Sequence, residues 1–439
     1  MALKNARTIA YDALLRMEKD QSYSNLVLDT FLRKSELSAQ DKSFSSRLFY
    51  GVIERKLTLD FIASYYSKQP LECLNLGVRV ILWMGFYQLL YMNTPDSAAV
   101  NESVKLVSSV KPGAKGFVNA VLRQFIRDEK KIIYPVDMLR QTSIRYSCPE
   151  WLVKQYQHDY GEAYTEQILS CSLLPPPVTL RVNLLKGSVH EIALQLFDEG
   201  IETVSVSKLP GCLIVKKGNP TETKAFHNGL FHVQDMASQL CAMVAASGKP
   251  KNVFDLCAAP GGKSFTIAEE ISDYGGKVSS FDLHENRVRL IESGAKRLGL
   301  DQTITAAKAD ASVFLNEIGK SDCVLCDVPC SGLGVIRRKP EIKYKSKESL
   351  QNLPQIQLKI LKNASNYVAS GGTLIYSTCS LSKAENEEVV DTFLKANSAF
   401  LPKALPKFPF LEKDNFQTTF FPQPDGPDGF YLAQMKRVE

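Results

Sequence analysis

Through the first third of the chain, apolar side chains recur at roughly every third or fourth position, the spacing that gathers them on one face of a helix. Ala6, Ile9, Ala10, Ala13, Leu14 and Met17 form one such stripe, and Phe44, Leu48, Phe49 and Val52 another. The same spacing predicts helices over Gly77–Tyr91, Ser97–Val110 and Gly116–Arg127, with Thr94-Pro95-Asp96 as a start signal for the second. No Gly/Ser-rich linker interrupts this part, so it reads as one helical bundle with short connections. The pattern then changes. Cys148-Pro149-Glu150-Trp151 opens a helix, and Pro175-Pro176-Pro177 stops the one that follows. Val178–Val182 alternates and is β-branched, a helix is predicted near Val189–Glu199, and strand-like pieces lie at Thr203–Val206 and Leu213–Val215.

From about residue 250 the rhythm is strand, loop, helix, repeated. Strands are predicted at Val253–Leu256, Lys277–Asp282, Thr303–Ala306, Asp322–Asp327 and Thr373–Ser377. Helices are predicted at Gly262–Glu270, Glu285–Leu298, Gln351–Ala369 and Lys383–Leu394. Such alternation predicts an open, mainly parallel sheet covered on both faces, with ligands at the carboxyl ends of its strands.

Composition narrows the class. Hydrophobic residues make up 44% and charged residues 23% of 439, which excludes disorder for the chain as a whole and predicts more than one domain. Val78–Met92 is too short for a bilayer and contains Arg79 and Gln88, and the N-terminal residues show no signal-peptide pattern. A cytoplasmic protein is expected. Net charge is +6, and it is uneven: residues 1–145 carry 21 Lys+Arg against 14 Asp+Glu. A basic first third hints at a polyanion partner, though an ordinary soluble surface explains it about as well.

Ten cysteines in so long a chain read as thiols rather than a disulfide scaffold. Cys323-Val-Leu-Cys326 has a zinc-like spacing, but no second pair stands at a suitable distance and the two lie in an apolar strand. No metal is expected. Buried, inert thiols are expected at Cys73, Cys171, Cys212, Cys241, Cys323 and Cys326.

The chemistry-bearing residues fall at predicted strand ends. Asp255-Leu-Cys257-Ala258-Ala259-Pro260-Gly261-Gly262-Lys263-Ser264 joins strand to helix, and its glycines let a ligand approach the helix N–H groups. A triphosphate-binding loop would need Gly at position 257, and a glycine-rich curve where Ala258-Ala259-Pro260 stands. Asp282 ends the second strand, where a carboxylate accepts from ribose hydroxyls, and Asp310 follows the third, where one accepts from an adenine amino group. Asp327-Val-Pro329-Cys330 and Thr378-Cys379-Ser380 place two thiols at the ends of neighbouring strands. Arg337-Arg338-Lys339 follows Cys330 closely enough to provide a positive field, although such a run is more often a solvated face.

Together these motifs resemble the S-adenosylmethionine-dependent RNA (cytosine-5) methyltransferases over about residues 146–439. Besides the two cysteine motifs and the Asp255–Lys263 loop, the resemblance includes Ile336-Arg-Arg-Lys-Pro-Glu341, Gln234-Asp-Met-Ala-Ser238 and Asp428-Gly-Phe-Tyr431. In the helical part, Tyr50-Gly51, Ala98-Ala-Val-Asn101-Glu102 and Lys115-Gly-Phe-Val-Asn119-Ala-Val-Leu-Arg123 resemble the NusB-like, antitermination-factor-like RNA-binding domain of the members acting on 16S rRNA. The resemblance implies a multidomain fold: an all-α NusB-like bundle (1–140), a small α+β segment (146–235) and an α/β Rossmann-like methyltransferase domain (236–439). It implies S-adenosylmethionine as cofactor, held by Cys257, Ala258, Ala259, Pro260, Gly261, Gly262, Lys263, Asp282, Asp310 and Asp327. It implies 16S ribosomal RNA as partner, and the absence of a heptad seam predicts a monomer.

The reaction explains the need for two thiols. Cytosine C5 is a poor nucleophile until a thiolate adds to C6. The resemblance gives that addition to Cys379, the release step to Cys330, hydrogen bonding of the base edge to Asp327, and support of the crevice to Lys263. DNA cytosine methyltransferases use the Pro-Cys cysteine as nucleophile, so Thr378-Cys379-Ser380 points to RNA. Relatives often carry a second acidic residue two positions after the Asp282 equivalent. Here it is His284, so Asp282 is expected to act alone on the ribose. The alternatives are the same reaction on transfer RNA, a non-catalytic RNA-binding or antitermination protein, and a P-loop hydrolase.

Overall fold

The computed structural model describes residues 5–20, 24–411 and 414–439. The chain divides into two compact units, Met1–Leu173 with Ile336–Lys345, and Leu174–Val335 with Ser346–Glu439.

The first unit is helical: α1 (Ala6–Asp20), α2 (Ser24–Arg33), α3 (Ala39–Glu54), α4 (Lys56–Ser67), α5 (Leu76–Tyr91), α6 (Asp96–Val110), α7 (Lys115–Arg127), α8 (Met138–Tyr146) and α9 (Glu150–Cys171). Side-chain oxygens of Ser38, Asn75 and Asp137 accept from backbone N–H groups in the first turns of α3, α5 and α8, satisfying donors that the helix itself leaves unpaired. Val80, Ile81, Leu82, Trp83, Met84 and Phe86 of α5 are all buried. A helix apolar on every side belongs at the centre of a bundle, and the stripes of α1, α3, α4, α6 and α7 pack around it. Among the described residues no helix is long and apolar enough to cross a membrane. The segment Ile336–Lys345 closes the end of α3: Tyr344 OH donates to Ile53 O and Lys343 Nζ to Glu54 O, each at 2.7 Å. Burial pushes the Lys343 ammonium down to about 8, although Cys148 and Glu54 pull the other way.

The second unit holds two sheets. The smaller contains β1 (Val178–Val182), β2 (Glu202–Ser205), β3 (Cys212–Lys217) and β4 (Phe231–Val233), all antiparallel in the order β2-β3-β1-β4, with α10 (Val189–Asp198) and α11 (Lys224–His227). Leu180, Val182, Leu213 and Phe231 meet Ile192 and Leu196 of α10 in its core.

The larger sheet follows α12 (Met236–Ala246). Its elements are β5 (Asn252–Asp255), α13 (Gly262–Ile271), β6 (Lys277–Asp282), α14 (Glu285–Leu298), β7 (Ile304–Lys308), β8 (Ser321–Asp327), α15 (Leu353–Ser365), β9 (Val368–Thr378), α16 (Glu387–Ala396), β10 (Phe400–Pro402), β11 (Gln417–Phe420) and β12 (Phe430–Arg437). The order is β10-β12-β9-β8-β5-β6-β7, with β11 on β12; β9, β8, β5, β6 and β7 are parallel and β12 is antiparallel to β9. Alternate residues of each strand face opposite layers. Val253, Val278, Leu325 and Ile375 pack with α12, α13 and α14, while Phe254, Phe281, Val324 and Leu374 pack with α15 and α16. Arg181 of β1 is buried and reaches α13, with Nε 3.2 Å from Glu269 and Nη2 2.6 Å from Glu270, which pins the small sheet to the large one.

The main departures from the sequence expectation lie around β9, α16 and β12. The strand predicted at Thr373–Ser377 starts at Val368, because Val368 pairs with Ser321 across the sheet; the preceding helix therefore stops at Ser365 rather than Ala369. The helix predicted over Lys383–Leu394 is interrupted at Asn386, with a single 3₁₀ turn before it. β12 was marked in the sequence only by its leading motif, yet it is almost wholly buried. Cys73 is exposed, contrary to expectation, because it lies in a short surface turn between α4 and α5; Cys171, Cys212, Cys241, Cys323 and Cys326 are buried.

Candidate active site

The chain runs from β5 outward to β6 and β7, then returns to place β8 on the other side of β5. In such a sheet the crevice opens where the direction reverses, at the carboxyl ends of β5 and β8. The loop after β5 and the loop after β8 carry the Asp255–Lys263 and Asp327–Cys330 motifs.

In the first loop, Ala258 donates to Phe281 O at 2.8 Å, and Ala259 N to Asp282 Oδ2 at 3.3 Å. These bonds tie the loop to the end of β6. Ala258 and Ala259 turn into the core, Cys257 packs against it, and Pro260 is exposed. Burial, followed by the nearby Asp255, Asp327 and Asp282, holds the Cys257 thiol well above its ordinary range. Gly261 takes φ 109°, a left-handed backbone, and a Cβ there would lie 2.4 Å from the Phe265 ring. It begins α13 without a side-chain cap, so the first N–H groups of that helix are available to an anionic group.

Asp282 is buried at 3% exposure and accepts from His284 N at 3.1 Å, with Arg287 Nη1 at 3.5 Å. Each carboxylate oxygen keeps a further lone pair. Asp310 is exposed and accepts from Ser312 N at 2.8 Å; that bond keeps its carboxyl below the usual range. Two carboxylates at successive strand ends beside an uncapped helix terminus fit a nucleoside that carries a charged tail. S-adenosylmethionine has these parts.

The thiols meet. Cys330 Sγ lies 3.2 Å from Cys379 Sγ. The hydrogen bond to Cys379, burial, and the charges of Cys379, Glu385 and Asp327 all raise the Cys330 thiol well above its ordinary range. Asp327 Oδ2 accepts from Lys263 Nζ at 2.6 Å, and Asp327 Oδ1 from Ser377 Oγ at 2.9 Å. Burial works to lower the Lys263 ammonium, but Asp327, Cys241 and Asp255 together outweigh it and the group is held above its ordinary value. Lys263 also sits 5.2 Å from the centre of the Phe430 ring. The Asp428–Tyr431 motif is thereby drawn to the crevice, and Asp428 N donates to Asp235 of the Gln234–Ser238 motif at 3.2 Å.

The sequence reading gave no role to several buried polar groups at the site. Asp255 is buried, accepts from Ser264 Oγ at 2.7 Å, and is pushed up to about 7 chiefly by burial. Glu385, Asn386 and Gln357 gather around the two cysteine loops. Only a helix pattern with polar residues on its inner face could have marked them.

Comparison with known proteins agrees with this architecture part by part. Residues 242–436 match the family described as 16S rRNA methyltransferase RsmB/F, which sets the large sheet among the methyltransferases. Residues 4–127 match the NusB family, and residues 148–222 the ferredoxin-like domain of RsmF/B-like methyltransferases. The "Probable ribosomal RNA small subunit methyltransferase B" of Bacillus subtilis is 37% identical over the whole of both chains. The ribosomal RNA small subunit methyltransferase B of an Escherichia coli O127:H6 strain is 31% identical over 98% of each. The crystal structure of NSun6 from Pyrococcus horikoshii with SFG superposes with a TM-score of 0.59 at 21% identity, covering 66% of this chain and 98% of that one. The chain belongs to the ribosomal RNA small subunit methyltransferase B family, and it is an enzyme of the transferase class.

Proposed function

We propose that the protein methylates C5 of a cytosine in 16S rRNA, with S-adenosylmethionine as donor, acting in the cytoplasm as a monomer. The family resemblance implies cytosine 967 as the position. The observation that carries the reading is the contact of Cys330 and Cys379 at 3.2 Å, beside the Asp327–Lys263 pair. One thiol would suffice for addition alone; two in contact suit addition followed by elimination.

In this reading Cys379, in contact with Cys330 at 3.2 Å, loses its proton and adds to C6 as the thiolate. Asp327, oriented by Lys263 and Ser377, hydrogen-bonds the N3/N4 edge of the base as the ring becomes electron-rich. The cofactor, when bound, supplies an electrophilic methyl group. Asp282, Asp310 and the loop Cys257–Lys263 would hold it. Once C5 carries the methyl group, loss of the C5 proton to a base restores the C5–C6 double bond and expels the Cys379 thiolate; Cys330 serves this release. Both faces of the base must be reachable, so the cytosine must be unpaired or flipped out.

Bisulfite sequencing of total RNA from cells with and without the protein tests the proposal. Loss of protection at a single 16S position is expected. Loss in transfer RNA instead would keep the chemistry and overturn the substrate, and no loss anywhere would overturn the reaction.

A further inference from the structure

The residues that follow the two cysteines share one buried acceptor. Ser331 Oγ donates to Glu385 Oε1 at 2.5 Å, and Ser380 Oγ to the same oxygen at 2.7 Å. The other oxygen, Oε2, accepts from Ser331 N at 2.8 Å and from Gln357 Nε2 at 2.9 Å. Gln357 Nε2 reaches on to Pro329 O, 3.0 Å away. Glu385 is only 3% exposed, and these four donors are all neutral. A buried carboxylate is costly unless its lone pairs are filled, and here they are filled entirely from the cysteine loops and the helix beneath them.

The geometry is made possible by the break at Asn386. Its backbone, at φ −113° and ψ −99°, leaves the helical region. Its side chain accepts from Thr378 Oγ1 at 2.6 Å and donates to Ser380 O at 3.0 Å. Tyr376 OH donates to Glu385 O at 2.5 Å. The turn is therefore held by β9 and the loop after it, while the Glu385 side chain also reaches Ser331 in the loop after β8.

We propose that Glu385 is a positioning residue that clamps the loops after β8 and β9 and so sets the spacing of Cys330 and Cys379. The proposal deepens the two-thiol reading above and rests on it. Glu385 touches neither sulfur in a hydrogen bond; it acts through the serines beside them. Its charge adds to those of Asp327 and Cys379 around the Cys330 thiol, with the Tyr376 phenol the other titratable group beside Cys330. Glu385→Gln keeps the shape but replaces one acceptor oxygen with an amide that donates, and so sets donor against donor on one side of the clamp.

Phenylarsine oxide reads the spacing directly, because its arsenic bonds two adjacent thiols with loss of one water and no redox change. The full chain should bind one equivalent at Cys330 and Cys379, located by mass spectrometry as protection from iodoacetamide. Losing hydrogen bonds to a charged acceptor makes Glu385→Gln bind at least about tenfold more weakly. Its kcat for methyl transfer should fall by about tenfold or more, with KM for RNA within about twofold. A folded Glu385→Gln protein with unchanged arsenical affinity and unchanged kcat overturns the proposal. If that variant does not fold, Ser331→Ala with Ser380→Ala removes two of the four donors and leaves the carboxylate. Weaker arsenical binding in that double variant supports the clamp, and unchanged binding overturns it. A wild-type chain without methyl transfer would refute the function proposed above, while the arsenical comparison would still decide the clamp.

Discussion

Cys379 and Cys330 differ in what their removal should leave behind. Cys379→Ala removes the sulfur proposed to attack C6, so methyl transfer should fall by roughly a thousandfold or more, while cofactor binding measured by calorimetry stays within error of wild type. Cys330→Ala leaves the attack possible and impairs release. It should accumulate a protein–RNA adduct that survives denaturing electrophoresis, and its absence with active Cys379 would contradict the release role. Asp255 makes a different prediction. Burial raises its carboxyl to about 7, against an ordinary value of about 3.9 in an unfolded chain. The folded state thus holds the proton more tightly, and stability from this group is full below about pH 4 and lost as pH rises to about 7. Asp255→Asn, neutral at every pH, should remove that slope. Above pH 7 it should be more stable than wild type by roughly 1–3 kcal/mol, read from urea melts at pH 5 and pH 8. An equal pH slope in both proteins would show that burial of this carboxyl costs nothing.

At the scale of elements, the crevice depends on backbones that cross without side chains between them. Gly334 N donates to Cys379 O, and Gly429 N to Gly334 O, each at 2.9 Å. A Cβ on Gly334 would lie 2.0 Å from Gly429 O and 2.8 Å from Cys379 O. Backbone cannot yield as a flexible side chain can, so Gly334→Ala should push apart the loops after β8 and β9 and the start of β12. A stability loss on the order of 2 kcal/mol is expected, together with loss of methyl transfer; a melting temperature equal to wild type would show that the crossing is looser than described. The sequence marked this region by motif, Cys330, Cys379 and Asp428–Tyr431. That the three motifs touch was not legible, because hydrogen bonds between loops far apart in sequence leave no periodic trace.

For the whole molecule, the uneven charge acquires a location. Lys115, Asn119, Arg123 and Arg127 recur at steps of four along α7, and the three basic residues are exposed, forming one stripe on that helix. If RNA is bound through such a surface, affinity should fall by about tenfold or more between 50 and 200 mM salt. Replacing Lys115, Arg123 and Arg127 with Glu should flatten that dependence in filter binding, without altering the melting temperature of the bundle. A slope unchanged by the three replacements would assign RNA contacts to other surfaces.

Taken alone, the sequence determined the helical and strand–helix rhythms, because core-facing side chains must recur with the period of the element that carries them. It determined the loop after β5 and the two cysteine motifs for a related reason: residues at strand ends are read locally, from a few adjacent positions. Tertiary structure alone decided which distant groups meet. It placed Cys330 against Cys379, filled the lone pairs of Glu385 from loops 54 residues apart (Ser331) and 5 residues apart (Ser380) in the chain, and counted Ile336–Lys345 with the helical unit although it follows Cys330 closely in sequence. It also interrupted a predicted helix at Asn386. A local pattern records which face is buried, but not that a buried polar side chain will find its donors on another strand.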